Sequence, residues 1–337
     1  KLFADYRRFA EGGSSGDRSE YRVRADSALV SAVRAFTQVI NGAANPVLRG
    51  QAHGRLIELY FDAERYGEVI QAARRLIKVY GSGAYALIGY YNLGWAHFQR
   101  GEFTQAIASF KELVRYYPSG YRTDRSLFQI GESHLAMDQC ESAIISYKQL
   151  VDRQRIDELD ADQLLQMKRE KLAGLVDETA LELAAKAEIR SGTCYGKLQR
   201  FDQGVESFRR VIELFASERV LVEEAYLRLA DLYVEKGDTE QALATYREAI
   251  DKAADRTLRA RIQYALAERL FAQAQYQAAL SEYRIYLQGY GDIAANAGFS
   301  SGRVRYRMGS SYQQVAQEHL QDGDRDTATP YLQRAVA

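Results

Sequence analysis

The 337-residue chain has 45 basic and 45 acidic side chains, 47% apolar residues, two cysteines and three prolines. Its cancelling charge leaves no global field for nucleic acid or an anionic membrane, and no apolar run reaches the roughly 18 residues of a membrane span. The length exceeds what one compact core usually organises, and two cysteines are too few for a disulfide framework.

In chain order, Lys1–Ala10 reads as a short helix with Leu2, Phe3, Tyr6 and Phe9 on its apolar face, and Glu11–Glu20 (EGGSSGDRSE) as a loop by composition. Ala28, Ala32, Val33, Phe36, Val39 and Ile40 predict a helix ended by Asn41-Gly42, and Asn45-Pro46 opens the next. This makes 1–48 an irregular first repeat. From there, two-helix units align on one small or apolar residue: Ile57, Gly94, Gly131, Gly192, Ala230, Ala267 and Gly309. Ile57 to Gly94 and Gly94 to Gly131 are each 37 residues. The chain therefore divides into 1–48, units two to four over 49–151, a charged helical insert over 152–175, and units five to eight over 176–337 with an atypical terminal cap. The insert carries Leu164, Leu165, Met167 and Leu172 and reads as an extra helix or an elongated first helix of unit five; a docking appendage is the sharper alternative. A long helix over Val304–Leu320 is predicted in the last unit.

Within Leu87–Pro118, apolar and small residues at Tyr90, Leu93, Gly94 and His97, then Phe103, Ala106, Ile107, Phe110, Leu113 and Val114, step by three and four. Gly101 is placed to end the first helix in a left-handed conformation, and Pro118 to stop the second. This order of Leu-Gly, Gly-x-aromatic, Ala, Phe and Pro resembles the tetratricopeptide repeat, with His97 where Tyr is usual. The resemblance implies an all-α, right-handed superhelical α-solenoid of about eight helix–turn–helix repeats, and a protein–protein interaction scaffold. The 37-residue period, longer than the common repeat of about 34, and the linker Tyr117-Pro118-Ser119 resemble a bacterial envelope subgroup: outer-membrane assembly lipoproteins and periplasmic proteins beside the Tol-Pal system. That subgroup implies a periplasmic or outer-membrane-associated subunit of an envelope complex, with peripheral or lipid-anchored association through a segment ahead of Lys1. A peptidoglycan-associated factor positioning an enzyme, and a cytoplasmic adaptor, are the alternatives.

In this family the first helix of each unit lines a concave groove. The matching positions are Tyr91, Trp95 and Phe98, then Phe128, Glu132 and Leu135, then Leu227, Asp231 and Val234. Tyr264, Glu268 and Phe271 follow, then Tyr306, Ser310 and Gln313. The resemblance implies an aromatic and apolar peptide-binding face punctuated by Glu58, Glu132, Asp231 and Glu268. The Lys and Asn/Arg clamp of chaperone-binding members has no match, since Arg125 and Lys186 stand alone.

No catalytic constellation is read: there is no G-x-S-x-G, P-loop or dinucleotide fingerprint. No cofactor or metal is expected. His97 and His134 occupy equivalent positions in successive units, which admits a shared metal or a pH-sensitive pair; local hydrogen bonding is preferred because no further ligand repeats with them. Cys140 and Cys194 read as buried thiols, with a bridge as the alternative. Arg303, Arg305 and Arg307 read as a solvated helix start rather than a nucleic-acid patch.

Overall fold

The computed structural model describes residues 15–154, 166, 178–215, 218–253, 255–294, 298 and 300–336. Among the described residues there are fifteen helices and no strands. They are α1 (Ser15–Gly42), α2 (Pro46–Asp62), α3 (Tyr66–Tyr80), α4 (Ala84–Gln99), α5 (Phe103–Tyr116), α6 (Tyr121–Ala136), α7 (Cys140–Gln154), α8 (Glu178–Lys197), α9 (Phe201–Leu214), α10 (Arg219–Lys236), α11 (Thr239–Lys252), α12 (Arg256–Ala272), α13 (Tyr276–Tyr290), α14 (Ser301–Gln321) and α15 (Arg325–Val336). From α2 onward the helices pair as hairpins at the predicted places. The chain forms two compact bodies: α1–α7 with the start of α8, and the rest of α8 with α9–α15.

The loop expected over Glu11–Glu20 is helical from Ser15 onward. Polar composition suggested a loop, but Ala25 and Leu29 are buried beside Leu59 and Ala63, and Glu20 pairs with Arg24 one turn on. Packing and a helical ion pair thus carry a segment that propensity leaves undecided. Asn45 caps α2 by accepting from the amides of Val47 and Leu48, with Pro46 in the first turn. The insert predicted from Asp152 starts later, because α7 continues through Gln154. Its remainder, Gln166 excepted, lies outside the described residues, as does the helix predicted over Lys1–Ala10.

Each hairpin is closed at its crossing by one complementary pair sixteen residues apart. A Cβ on Gly94 would lie 2.6 Å from the ring of Phe110, and one on Gly192 2.8 Å from Phe208; Gly131 faces Tyr147 in the same way. Where the first position is Ala230 or Ala267, the partner is Tyr246 or Tyr283, and where it is Ile57 the partner shrinks to Ala73. The summed volume is held while the two members trade size, as close packing requires. The terminal hairpin departs: α14 runs 21 residues, and Gly309 packs near the Ala335 carbonyl instead.

Every turn inside a hairpin uses the same closure. An amide five residues on bonds back to the first helix, as in Glu102 N–H to the His97 carbonyl at 2.9 Å and Gln275 N–H to Leu270 at 2.9 Å. This requires a left-handed residue just before that amide. Gly101, Gly237 and Gly323 supply it, but Glu64, Asp138, Gln199 and Ala274 do so at φ between 57° and 60°. A Cβ there costs on the order of 1 kcal/mol. Ala274→Gly is therefore expected to raise stability by about 0.5–1 kcal/mol in denaturant unfolding, and an unchanged or lowered midpoint would refute the assignment.

In the C-terminal body, Glu188 is buried and accepts from Arg210 Nη1 at 2.7 Å. Burial pushes its carboxyl above the usual range, and Arg210 offsets this only in part. Arg210→Ala strands that charge and should cost about 3–5 kcal/mol. A raised folded-state pKa means the folded chain holds the proton better than the unfolded one, so stability falls as pH rises through that window. The variant should accordingly regain stability as pH is lowered from neutral toward the ordinary carboxylate range, and the further change Glu188→Gln should abolish that recovery.

Candidate protein-binding surface

In the N-terminal body, α4 and α6 carry the predicted surface side chains. Tyr91, Trp95 and Phe98 are half-buried and pack on a core of Ala106, Ile107, Phe110 and Ile130. The Trp95 ring meets Tyr91, Phe98 and Phe110 edge-to-face at 6.3, 5.9 and 6.2 Å. Arg122 of α6 lies over Tyr91 at 5.5 Å. Among the described residues the shielded Trp95 indole N–H has no acceptor. Phe128 is tilted against Tyr147, and Phe128, Glu132 and Leu135 are likewise half-buried. The three aromatics of α4 thus form one bay, its inner edges filling the hairpin and its outer edges open.

The acids expected to punctuate the face have structural partners. Tyr147 donates to Glu132 at 2.5 Å, Tyr246 to Asp231 at 3.3 Å and Tyr283 to Glu268 at 2.5 Å. Each tyrosine is the large member of its crossing pair, and each acid follows the small one. Burial and the adjacent carboxylate raise the hydroxyl pKa of Tyr246 and Tyr283, which holds the proton on the phenol and fixes it as donor. Where the crossing residue is Phe, the next position is not an acid: Phe110 goes with Trp95 and Phe208 with Thr193. Glu58, opposite Ala73, pairs with Arg55 one turn away at 2.7 Å.

In the C-terminal body the same line is largely occupied from within. Arg269 pairs with Asp231 at 2.5 Å and Arg307 with Glu268 at 2.9 Å. Arg307 also lies 5.0 Å over Phe271, and Arg303 5.9 Å over Tyr264. Tyr264 is 4% exposed and presents no surface, which corrects its place among the contact residues. Arg307 is half-buried in this contact rather than part of a wholly solvated helix start. Leu227 is half-buried, and Tyr306 is 73% exposed.

The two histidines are held locally. His97 Nδ1 lies 2.5 Å from Glu102 and His134 Nδ1 2.9 Å from Gln139, each within its own turn. Hydrogen bonding to His97, helped by Arg100, holds the Glu102 carboxyl below its ordinary value. Among the described residues no three metal-ligating side chains cluster. Cys140 and Cys194 are buried and are not joined in a disulfide. A cleft of about 240 Å³ lies elsewhere, between α5 and α7, lined by Lys111, Val114, Ile130, His134, Ile145 and Gln149. No residue of the predicted surface lines it; Ile145, sharing one face of α7 with Ser142, Ser146 and Gln149, is its sequence signal.

These features define an all-helical protein of stacked hairpins with one open aromatic bay on the first helix of a unit. Descriptions of the tetratricopeptide repeat match residues 88–119, 125–154, 183–255 and 227–299. The chain is a tetratricopeptide-repeat protein. No curated protein matches it. Among solved structures it is similar to YrrB, described as a TPR protein with an unusual peptide-binding site (16% identity, TM-score 0.45, 72% of this chain and 98% of that one). It is also similar to MamA (16%, 0.44, 60% and 91%) and to a tetratricopeptide repeat protein from Parabacteroides merdae (13%, 0.44, 92% and 98%).

If the acids serve the fold, Glu268→Ala should be costly, because it strands Tyr283 and Arg307 together. The expected loss is about 2–3 kcal/mol in thermal or denaturant unfolding, against roughly 0.5 kcal/mol or less for Glu58→Ala at its exposed pair. Equal small losses would return the acids to the candidate contact set.

Proposed function

We propose that this chain is a non-catalytic scaffold that holds a segment of a partner protein against α4 and α6 of its N-terminal body. One observation carries this reading. At the position where Glu132, Asp231 and Glu268 are tied to core tyrosines, unit three has Trp95 over Phe110, and with Tyr91 and Phe98 it leaves aromatic edges open. Half-exposed Trp and Tyr offer large, stiff contact area, which suits anchoring of an apolar side chain from an extended or helical segment. The N-terminal body is favoured over the C-terminal one because Arg303, Arg307 and Arg269 occupy the equivalent positions there, whereas on α4 Arg122 lies over Tyr91 while Trp95 and Phe98 stay half-exposed.

The setting we propose is a bacterial envelope complex, periplasmic or outer-membrane-associated. It is supported by the 37-residue period and the Tyr117-Pro118-Ser119 linker. Fractionation of the producing cell tests it, since recovery of the native protein in the cytosol alone would overturn it.

The contact itself is tested with immobilised full-length chain and a partner captured from the native extract. Trp95→Ala with Tyr91→Ala should weaken capture about 30-fold or more, as loss of a hot-spot pair does, with helicity unchanged by circular dichroism. Undiminished capture would place the contact elsewhere.

A further inference from the structure

A second surface lies at one end of the hairpins of the N-terminal body, where the linkers between units run. The ends meeting there are tied by hydrogen bonds. Tyr80 donates to the Pro46 carbonyl at 3.3 Å, Tyr85 to Val47 at 3.1 Å and Tyr117 to Gly83 at 2.6 Å. The starts of α2 and α4 and the ends of α3 and α5 therefore form one edge.

Charge on this body is sorted by edge. No acidic residue lies between Asp26 and Glu58, or between Glu68 and Glu102. At or near the linker edge, Arg49, Arg74, Arg75 and Lys78 are exposed. Arg75 is close enough to help depress the His53 pKa, behind the larger effect of burial. Of the acids near this edge, Glu112 sits on Arg115, buried Asp124 holds Arg153 and Glu182 holds Lys186, while Asp152 and Glu178 lie on α7 and α8, the last helices of the body. The opposite edge, at the turns within hairpins, carries Asp62, Glu64, Glu68, Glu102, Asp138 and Glu141, with Arg65 and Arg100 paired to Glu68 and Glu102.

Aliphatic side chains stand among the cations. Val47 is 53% exposed, Leu48 47% and Val79 64%, and Tyr116 is exposed at the end of α5 with Arg115 over its ring.

We propose that this linker edge seats on an anionic lipid bilayer, with Arg49, Arg74 and Lys78 at the headgroup phosphates and Val47, Leu48 and Val79 entering the interfacial layer. Positive charge beside unpartnered aliphatic groups is the composition that binds anionic membrane surfaces. Nucleic acid would draw on the cations but has no use for the three aliphatic side chains. They also project from the ends of two different helices rather than lining a channel for a peptide. The proposal does not depend on the aromatic bay, which lies on another face of α4.

The test is co-sedimentation of the full-length chain with vesicles of phosphatidylcholine alone and of an equal mixture with phosphatidylglycerol. Binding is expected only to the mixed vesicles and should fall with added salt. Arg49→Glu with Lys78→Glu should reduce it about tenfold or more; Val47→Ser with Val79→Ser should reduce it several-fold. The charge-matched pair Arg325→Glu with Arg334→Glu, at exposed sites of the C-terminal body, should leave it unchanged. Failure to sediment with mixed vesicles would overturn the proposal. So would full binding by the valine variant, or complete competition by DNA or polyglutamate, since either means attraction to any polyanion. Circular dichroism confirms that the variants stay folded.

Discussion

Everything in each ordinary hairpin depends on how closely its two helices cross. At one point per unit the backbone of the first helix meets a large side chain from the second, and the pair Gly94 and Phe110 is typical. A small residue lets the ring lie against the helix surface, and the ring fills the space the missing side chain leaves. The exchange of sizes at Ile57 and Ala73 shows that the constraint is on the pair, not on either residue. Once this contact is fixed, the neighbouring positions inherit their surroundings. The residue after the small one is always half-buried, whichever type it is: Glu58, Trp95, Glu132, Thr193, Asp231, Glu268 or Ser310.

That inherited position explains why acids recur there with partners inside the hairpin. A tyrosine at the crossing reaches its ring through the hairpin and must place a hydroxyl at the far side. A buried phenol without an acceptor is costly, so Glu132, Asp231 and Glu268 accept from Tyr147, Tyr246 and Tyr283. Phenylalanine makes no such demand, which frees the position for Trp95. The aromatic bay is thus a by-product of Phe110. Reading the sequence one position at a time hides this, because the coupling joins residues fifteen apart on two helices.

The repeat itself was legible because its constraints are local and recur: small residues at fixed spacing, Gly101 at φ 73° where a left-handed residue is needed, Asn45-Pro46 at a helix start. What escaped was set by packing between units. Tyr264 looked like a free contact, but α14 lays Arg303 and Arg307 over the aromatics of α12. The beginning of α1 looked like a loop until Ala25 and Leu29 found partners on α2. The linker Tyr117-Pro118-Ser119 also has a structural account. Tyr117 bonds the Gly83 carbonyl, Thr123 bonds Tyr117 and Ser119, and Arg153 bonds Pro118. The motif thus holds one unit against the next, which ties the linker sequence to the long repeat period.

Net charge follows the same frame. Forty-five cations and forty-five anions sum to zero, which leaves no global field but says nothing of how charge is distributed along a repeat. A hairpin repeat sorts its residues by end, however: linkers and helix starts go to one edge, inner turns to the other. In the N-terminal body the cations collect at the first edge and the acids at the second, at Asp62, Glu64, Glu68, Glu102, Asp138 and Glu141. Screening confines each edge's potential to about 8 Å at physiological salt, so a partner touching one edge meets only that edge's charge. For a repeat protein the relevant quantity is charge per edge of the hairpin, and it can be read from sequence as soon as the repeat frame is known.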